Sequence, residues 1–281
     1  MDGRSGRLFF PSAKLTAMPR IQFIELHEQP WFPNTLRNEV TDVLQFGSEV
    51  LKTYSPIAPL LRRALAASGS QSVVDLCSGS GGPWLDLSQK LGEDAAGFHI
   101  FLTDKFPVLS GEGNLKNTAG ASIQFYEKPV DATQVPAKLT GFRTMFTSFH
   151  HFPPAEAQAI LQNAVDAGQG IGIFEVTRRS GFAVATMFVW CLSPLIFTPF
   201  LRPFRWSRLL FTYFVPIIPL VLLFDGIVSC MRSYRPRELQ EMVEGLRGSK
   251  YRWDIGVQAG IKGRSPLITY LVGYPEEQQG I

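Results

Sequence analysis

The sequence predicts an α/β fold in which a mainly parallel sheet carries helices on both faces. Short apolar strands alternate with amphipathic helices between Val73 and Val176, and connections of this length favour a parallel sheet. Polar side chains follow several of the strands, at the edge where such sheets bind ligands. A chain of 281 residues is long enough for one core of this kind with an additional segment.

Composition narrows the classes of function. Only 18% of the residues are charged, while 45% are apolar and phenylalanine occurs 22 times, so much of the chain must be buried or must cover an apolar partner. The net charge of +3 and the scattered basic residues argue against a nucleic-acid partner but are compatible with an anionic membrane surface. Because Cys77, Cys191 and Cys230 lack metal-ligand spacing, we expect reduced thiols, a cytoplasmic location and no metal site.

The first two predicted segments precede the sheet. Residues 1–20 lack the apolar core of a signal peptide and are expected to form a flexible N-terminal arm. Residues 21–69 are expected to form an N-terminal helical cap, with helical periodicity over 34–54 and a second helix over 59–67.

Residues 70–180 are predicted to form a ligand-binding core, which residues 232–281 complete. The predicted strands of the core are 73–76, 98–104, 123–133, 143–149 and 170–176. The predicted helices between them are 85–91 and 154–167. The C-terminal part is predicted to add a helix over 236–246 and an antiparallel hairpin of strands 251–258 and 266–274.

Residues 181–231 are predicted to form a hydrophobic helical insertion. Residues 181–201 and 209–224 carry no charge, and a membrane span needs roughly 20 apolar residues, so the first stretch reaches that length and the second does not. Prolines interrupt both stretches, and a short basic connector with Arg202, Arg205 and Arg208 separates them. Three interpretations stay open: a lid or buried core, which we favour, a hairpin at a membrane interface, and a pair of spanning helices.

The segment VVDLCSGSGGPW, from Val73 to Trp84, combines a strand that ends in an acid with a run of small residues before a helix. Glycines let the backbone approach a ligand, and the start of the helix offers free N–H groups. In dinucleotide-binding proteins the pattern is G-x-G-x-x-G, but counting from Gly79 places Trp84 at the third glycine. An NAD(P)-dependent oxidoreductase is therefore a minor alternative.

The pattern D-x-C-x-G-x-G, formed by Asp75, Cys77, Gly79 and Gly81, resembles the first motif of the class I S-adenosylmethionine-dependent methyltransferases. Cys77 stands where that family usually has its first glycine, and the resemblance extends over residues 70–176. It implies a Rossmann-like methyltransferase sheet with helices on both faces. In this chain the sheet would carry the N-terminal helical cap and a hydrophobic helical insertion after the fifth strand.

The resemblance also implies S-adenosylmethionine as cofactor and assigns residues to it. A sulfonium cofactor has no phosphates, so the loop needs a carboxylate and backbone carbonyls for the methionine ammonium, and Asp75 and Gly79 fit this need. The family places an acid for the ribose hydroxyls at Asp104 and a polar residue for the adenine amino group at Asp131, each at the end of a predicted strand. The other predicted cofactor-binding residues are Cys77, Ser80, Gly81, Lys105, Ala132 and Thr147.

His150 and His151 follow the fourth predicted strand and are the predicted catalytic residues. A histidine of near-neutral pKa can accept a proton from a methyl acceptor. Adjacent strand residues point to opposite faces, so we expect only one of them to face the pocket. Two alternatives stay open: both histidines are polar caps of the strand end, or in-line positioning alone suffices for transfer.

The predicted substrate-binding residues are Glu175, Asp225, Arg232 and Tyr234. Glu175 ends the fifth strand, where Arg178 and Arg179 are candidates to neutralise it, and the other three follow the apolar insertion. A cover rich in Phe, Leu and Ile suits an apolar acceptor, so the sequence predicts a methyltransferase for a hydrophobic small molecule or lipid. We expect it in the cytoplasm and peripherally at the inner face of the membrane. The alternative is a membrane-associated cofactor-binding protein without turnover.

Overall fold

The computed structural model describes residues 18–79, 81–91, 97–107, 121–248, 250–260 and 267–276. Outside these ranges lie most of the predicted N-terminal arm, Ser80 and the first residue of the last predicted strand. The strands are β1 (Ser72–Leu76), β2 (His99–Thr103), β3 (Ser122–Phe125), β4 (Phe142–Phe146), β5 (Ile171–Glu175), β6 (Tyr251–Gln258) and β7 (Ile268–Pro275). The helices outside the insertion are α1 (Asn34–Val50), α2 (Ala58–Ser68), α3 (Trp84–Leu91), α4 (Pro154–Asp166) and α9 (Pro236–Glu244).

The strands form a seven-stranded sheet in the order β3-β2-β1-β4-β5-β7-β6. Strands β1 to β5 are parallel, and β7 pairs antiparallel with both β5 and β6. All five residues of β5 are buried, as expected for a strand that is covered on both faces. The predicted α/β fold with a mainly parallel sheet is confirmed, and so is the C-terminal hairpin.

Each face of the sheet has its own apolar core. On one face α2 and α3 contribute residues such as Leu61 and Trp84, and on the other face α4 and α9 contribute Ile160 and Leu239. Neighbouring residues of β1 alternate between the two cores: Val73 belongs to the first and Val74 to the second. The sheet is therefore the central layer of three.

Two strands are shorter than predicted. The third strand ends at Phe125 rather than at 133, because Pro129 has no N–H to donate to a strand ladder. The fourth strand ends at Phe146, because Thr147 has a positive φ of 45° and turns the chain into the 3-10 helix Phe149–His151. These corrections move Asp131 off the strand and place both candidate histidines in a 3-10 helix.

The insertion forms its own helical layer beside the sheet. Its helices are α5 (Gly181–Trp190), α6 (Ser193–Phe197), α7 (Trp206–Leu209) and α8 (Ile217–Arg232). A third apolar core joins it to α1, with Val40 and Val43 of α1 against Ile218 and Leu222 of α8. Within 21–69, α1 therefore packs on the insertion, while α2 packs on α3 and the sheet.

The outer side of the insertion is apolar and exposed. Large side chains with at least two fifths of their surface exposed include Phe182, Val189, Ile196, Trp206, Phe214 and Leu220. Among the described residues, the helical stretch Gly181–Phe200 has the length and composition to cross a membrane, and only 22% of its most apolar window is buried. Trp206–Phe214 and Ile217–Arg232 would add a second span only as one unit, but they meet at a bend of 74°.

Most of the basic connector contacts α1. Arg208 is buried and forms an ion pair with Asp42 of α1, and Arg205 lies 3.4 Å from the same carboxylate. Arg202 is exposed. Two of the three arginines therefore hold the insertion against α1.

We predict that Phe142→Ala lowers the free energy of unfolding by about 3–5 kcal/mol, because a fully buried ring is replaced by a cavity. The Phe142 ring lies against Gly170 and Gly172, where a Cβ atom would come within 2.5 and 3.1 Å of it. Denaturant unfolding followed by circular dichroism measures the change. Phe182→Ala, at a position that is 81% exposed, is the matched control and should change stability by less than about 0.5 kcal/mol. Equal losses in the two variants would contradict this core assignment.

Candidate functional site

The loop after β1 has a left-handed backbone at several positions. Gly79 and Gly82 have φ values of 55° and 59°, and Cys77 has a φ of 57°. Such a conformation costs a residue other than glycine roughly 1–2 kcal/mol. Cys77 thus occupies a position suited to glycine, the residue that the methyltransferase family usually has there. Gly81 closes the turn by donating its N–H to the Ser78 carbonyl at 3.0 Å.

Asp104 is fixed beside this loop. Its Oδ2 accepts the N–H of Gly79 at 3.0 Å, and its Oδ1 accepts the N–H of Phe106 at 2.9 Å. Each carboxylate oxygen has more than one acceptor position, so both can still accept a ligand hydroxyl. The side chain is partly exposed. The structure therefore brings together Gly79 and Asp104, two of the predicted cofactor-binding residues.

The sequence predicts that Asp131 ends a strand, but in the structure it lies in a turn. Its Oδ1 accepts the N–H of Thr133 at 2.8 Å and the Thr133 hydroxyl at 2.6 Å, and these bonds lower the pKa of Asp131. The charge of Lys105, which is exposed, lowers this pKa further. Val130 donates its N–H to the Asp104 carbonyl at 2.9 Å, which keeps Asp131 near the loop. The neighbouring Ala132 is buried.

Asp75 lies beneath the loop rather than on its surface. It is buried, and its Oδ1 accepts a hydrogen bond of 2.6 Å from the Thr144 hydroxyl on β4. Burial raises the pKa of Asp75 to about 7, against the opposing effect of the Thr144 and Ser78 hydrogen bonds. A Cβ atom at Gly82 would lie 3.0 Å from Oδ2, so the loop closes tightly over this carboxylate.

Residues of the N-terminal segment cover the loop. Two of them, Thr41 and Gln45, are not among the predicted site residues. Gln45 on α1 donates to the Gly82 carbonyl at 2.6 Å, and the Thr41 methyl group would lie 3.6 Å from a Cβ atom at Gly79. The hydroxyl groups of Tyr54 and Thr147 are 2.5 Å apart. Thr147, a predicted cofactor-binding residue, thus lies at the end of β4 under a buried tyrosine.

A second group of polar side chains lies beyond the ends of β4 and β5. We call it the acid–histidine cluster, and its members are Glu25, His27, Glu28, His150, His151, Glu175, Asp225 and Arg232. They come from the segment before α1, the 3-10 helix after β4, the end of β5, and α8. The cluster therefore unites both predicted catalytic residues with three of the four predicted substrate-binding residues.

His150 is enclosed between two carboxylates. Its Nδ1 lies 2.7 Å from Glu175 Oε2, and its Nε2 lies 3.4 Å from Glu25 Oε1. Burial alone would lower the pKa of His150, but Glu175 and Glu25 outweigh it and raise the pKa. Of the two alternatives for Glu175, neutralisation by Arg178 or Arg179 is not what the structure has: His150 pairs with Glu175, and Arg179 pairs with Glu238.

His151 faces the same cluster, which corrects the expectation that the two histidines point apart. Their ring centroids are 4.2 Å apart, because a 3-10 helix replaces the alternating geometry of a strand. The Nδ1 of His151 contacts Glu28 and lies 3.5 Å from Glu25 Oε2. The exposed fraction of the side chain is 21% for His151 and 30% for Glu28, so the cluster reaches solvent here.

Helix α8 fixes the segment before α1 to the cluster. Asp225 accepts the N–H of Leu26 at 2.7 Å and lies 2.7 Å from His27 Nδ1, while Arg232 Nη1 is 2.8 Å from Glu28. Tyr234 is not part of the cluster: its hydroxyl donates to the Phe152 carbonyl at 2.7 Å, and its ring lies under the Arg20 guanidinium.

Sequence reasoning missed Glu25, His27 and Glu28. These three ionisable residues occupy four consecutive positions in IELHEQP, between apolar Ile24 and Pro30. This high density of ionisable residues, in a chain that is otherwise poor in charge, was the signal that could have identified them. The role of these residues depends on contacts with His150 and Arg232, which are remote in sequence.

We predict that Asp75→Asn stabilises the protein at alkaline pH. The pKa of Asp75 is raised in the folded state from 3.8 to about 7, so ionisation opposes folding increasingly as the pH rises through this range. At about 1.4 kcal/mol per pKa unit, the gain at pH 8 is at most about 4 kcal/mol and disappears near pH 4. Unfolding free energies between pH 4 and pH 8 measure it.

Asp131→Asn is the control for this prediction. The pKa of Asp131 is lowered, so the sign is opposite: the charged form stabilises the fold above the unfolded pKa, and the variant should be no more stable than wild type at pH 8. A constant difference between wild type and Asp75→Asn at every pH would contradict the raised pKa.

Comparison with known proteins identifies the fold. No protein-family model and no curated protein matches the sequence. Among solved structures, the plantazolicin methyltransferase BpumL in complex with SAH matches over 90% of this chain and 95% of that chain, with a TM-score of 0.54 and 10% sequence identity. The same enzyme with a pentazolic desmethylPZN analog and SAH gives a TM-score of 0.52 and 11% identity, over 90% of this chain and 96% of that chain.

At this level of identity the likeness concerns the fold. It agrees with the seven-stranded, mainly parallel sheet. The chain therefore has the Rossmann-like fold of the class I S-adenosylmethionine-dependent methyltransferases.

Proposed function

We propose that this protein is an S-adenosylmethionine-dependent methyltransferase that acts on a hydrophobic small molecule or lipid. The observation that carries the proposal is the hydrogen bond of 3.0 Å from the Gly79 N–H to Asp104 Oδ2, within a methyltransferase fold. It joins the glycine loop after β1 to the acid after β2, at the sheet edge where α/β proteins bind ligands. The solved methyltransferase that this chain resembles holds SAH.

The residues of this edge fit the cofactor. Asp104 would accept the ribose hydroxyls, Asp131 the adenine amino group, and the carbonyls around Gly79 the methionine ammonium. A Cβ atom at Gly79 would meet only the Thr41 methyl group within 4 Å, at 3.6 Å, so the loop has space on that side among the described residues. When bound, S-adenosylmethionine supplies an electrophilic methyl group on a sulfonium sulfur.

The acid–histidine cluster is the proposed acceptor side. S-adenosylmethionine would supply the methyl group here, and an oxygen or nitrogen acceptor that takes it would release its proton to solvent. His150 is buried between Glu25 and Glu175, so it positions its neighbours rather than acting as a free base. The reactive group of the acceptor would enter at the side of the cluster that His151 and Glu28 open to solvent.

The insertion supports an apolar acceptor and contact with a membrane. Exposed patches of this kind are rare on soluble monomers and mark interaction surfaces. The second apolar half of the insertion, Trp206–Phe214 with Ile217–Arg232, is bent by 74°, so we propose that the insertion lies in the interface of a bilayer rather than across it. Trp206, which is 78% exposed, suits the headgroup region. The protein is then cytoplasmic and peripheral at the inner face of the membrane.

We predict that S-adenosylhomocysteine binds saturably and that Asp104→Ala weakens binding about 10- to 100-fold, because hydrogen bonds to a charged group contribute about 1.5–3 kcal/mol. Calorimetric titration measures this effect. Asp166→Ala, which removes an exposed carboxylate on α4, is the control and should bind like wild type. Binding of NADH without binding of S-adenosylhomocysteine would overturn the proposal in favour of an oxidoreductase.

Binding alone does not separate an enzyme from a cofactor-binding protein without turnover. Incubation with a methyl-labelled donor and a lipid extract makes that distinction. Label in the organic phase with wild type, and its loss with Asp104→Ala, is the result expected of the enzyme. Tight binding without label transfer to any apolar fraction would favour the binding protein.

We predict that the protein floats with phosphatidylserine-containing liposomes and that combined Phe182→Ser, Trp206→Ser and Phe214→Ser abolishes flotation. Burial of one such side chain contributes about 1.5–3 kcal/mol, so the triple change should weaken binding by more than about 100-fold. Val257→Ser with Leu267→Ser changes exposed apolar residues of the C-terminal hairpin region and is the control. Equal flotation of all three proteins, or none by wild type, contradicts membrane contact through the insertion.

A further inference from the structure

We infer that Glu25, His150 and His151 form a binding site for a divalent transition-metal ion. Each residue offers one ligand atom, and these atoms all lie within 4.8 Å of one another. Two imidazoles and one carboxylate form a ligand set that suits ions such as Zn²⁺, Fe²⁺ and Mn²⁺ and leaves coordination positions open. The inference concerns binding and does not depend on methyl transfer.

The separations agree with a shared ion. Nε2 of His150 lies 3.4 Å from Glu25 Oε1, and Nδ1 of His151 lies 3.5 Å from Glu25 Oε2. Two ligands that each lie about 2.1 Å from one ion are about 3.0–3.4 Å apart in octahedral or tetrahedral geometry. The full ligand set spans up to 4.8 Å, so movements on the order of an ångström would let the three residues share one ion.

Three buried atoms of this group lack a hydrogen bond among the residues that the structure describes: Glu25 Oε2, His150 Nε2 and His151 Nδ1. The Glu25 and His150 side chains are about 1% exposed. Buried polar atoms are nearly always paired, so orphaned atoms in a native site call for an unseen ion or water. These three are also the atoms that an ion bound to the three residues would contact.

The remaining polar contacts orient the ligands. Glu175 Oε2 lies 2.7 Å from His150 Nδ1 and so directs Nε2 toward Glu25, while the Phe149 N–H holds Glu175 Oε1 at 2.7 Å. A carboxylate on the outer nitrogen is the usual partner of a metal-binding histidine. The other oxygen of Glu25, Oε1, accepts the Ser229 hydroxyl at 2.8 Å, so Oε2 is the oxygen left for an ion.

The charge and the access of the cluster are compatible with a bound ion. The cluster holds the carboxyl groups of Glu25, Glu28, Glu175 and Asp225, against the guanidinium of Arg232 and the imidazoles of three histidines. A divalent cation held by neutral imidazoles would compensate these carboxylates in place of protons. It can enter at the solvent-exposed side, where Glu28 contacts His151 Nδ1 and is placed to become a fourth ligand. The expectation of no metal site came from cysteine spacing alone and did not consider these residues.

The test is metal binding to the full chain. Protein freed of metal by chelation is titrated calorimetrically with Zn²⁺, Mn²⁺ and, without oxygen, Fe²⁺, and the bound metal is counted by elemental analysis. We expect one ion per chain for at least one of them. Glu25→Gln and His151→Asn should each weaken binding at least about 10- to 100-fold, the loss seen even for outer partners of a metal site.

Matched controls are Glu238→Gln and His99→Asn, which remove the same functional groups outside the cluster and should bind metal like wild type. S-adenosylhomocysteine binding is measured on every variant, so that loss of folding, failure of the proposed function and failure of the metal site give different results. If Glu25→Gln does not fold, His151→Asn, at a partly exposed position, still tests the metal site. No saturable metal binding by wild type, or binding equal in wild type and His151→Asn, would overturn the inference.

Discussion

Parallel pairing of β1 with both β2 and β4 is the constraint on which the whole site depends. Asp75 is level with Leu102 of β2 and with Thr144 of β4, so the three strands end at one edge. The loop after β1, Asp104 after β2 and the 3-10 helix after β4 then become neighbours, although they are far apart in the chain. Loss of this register would separate the proposed cofactor-binding residues from the histidines.

Burial of charge is the second organising feature. Removing a carboxylate from water costs several kcal/mol unless its partners compensate. Breaking a buried ion pair leaves the remaining charge without this compensation. The acid–histidine cluster meets this requirement by bringing residues of four segments together, with His150 between Glu25 and Glu175. The pairs select one arrangement of the segment before α1, because a misplaced Glu25 would remain buried without compensation.

Helix α1 links the insertion to the glycine loop. One side of α1 shares an apolar core with α8 and an ion pair with Arg208, and another side reaches the loop through Thr41 and Gln45. The apolar outer surface and the loop are therefore attached to the same helix. This arrangement suits an enzyme that would take an apolar acceptor from a surface and present it beside a polar site.

The sequence by itself determined the strand and helix alternation, the loop VVDLCSGSGGPW and the position of Asp104, because these features depend on periodicity and on residues close together in the chain. The tertiary structure decided the turn that holds Asp131, the pairing of Glu175 with His150 rather than with the neighbouring arginines, and the whole role of Glu25 and Glu28. His27 and Asp225 meet across 198 positions. A contact of that kind leaves no periodic pattern in the sequence, since only the folded sheet and α8 bring its partners together.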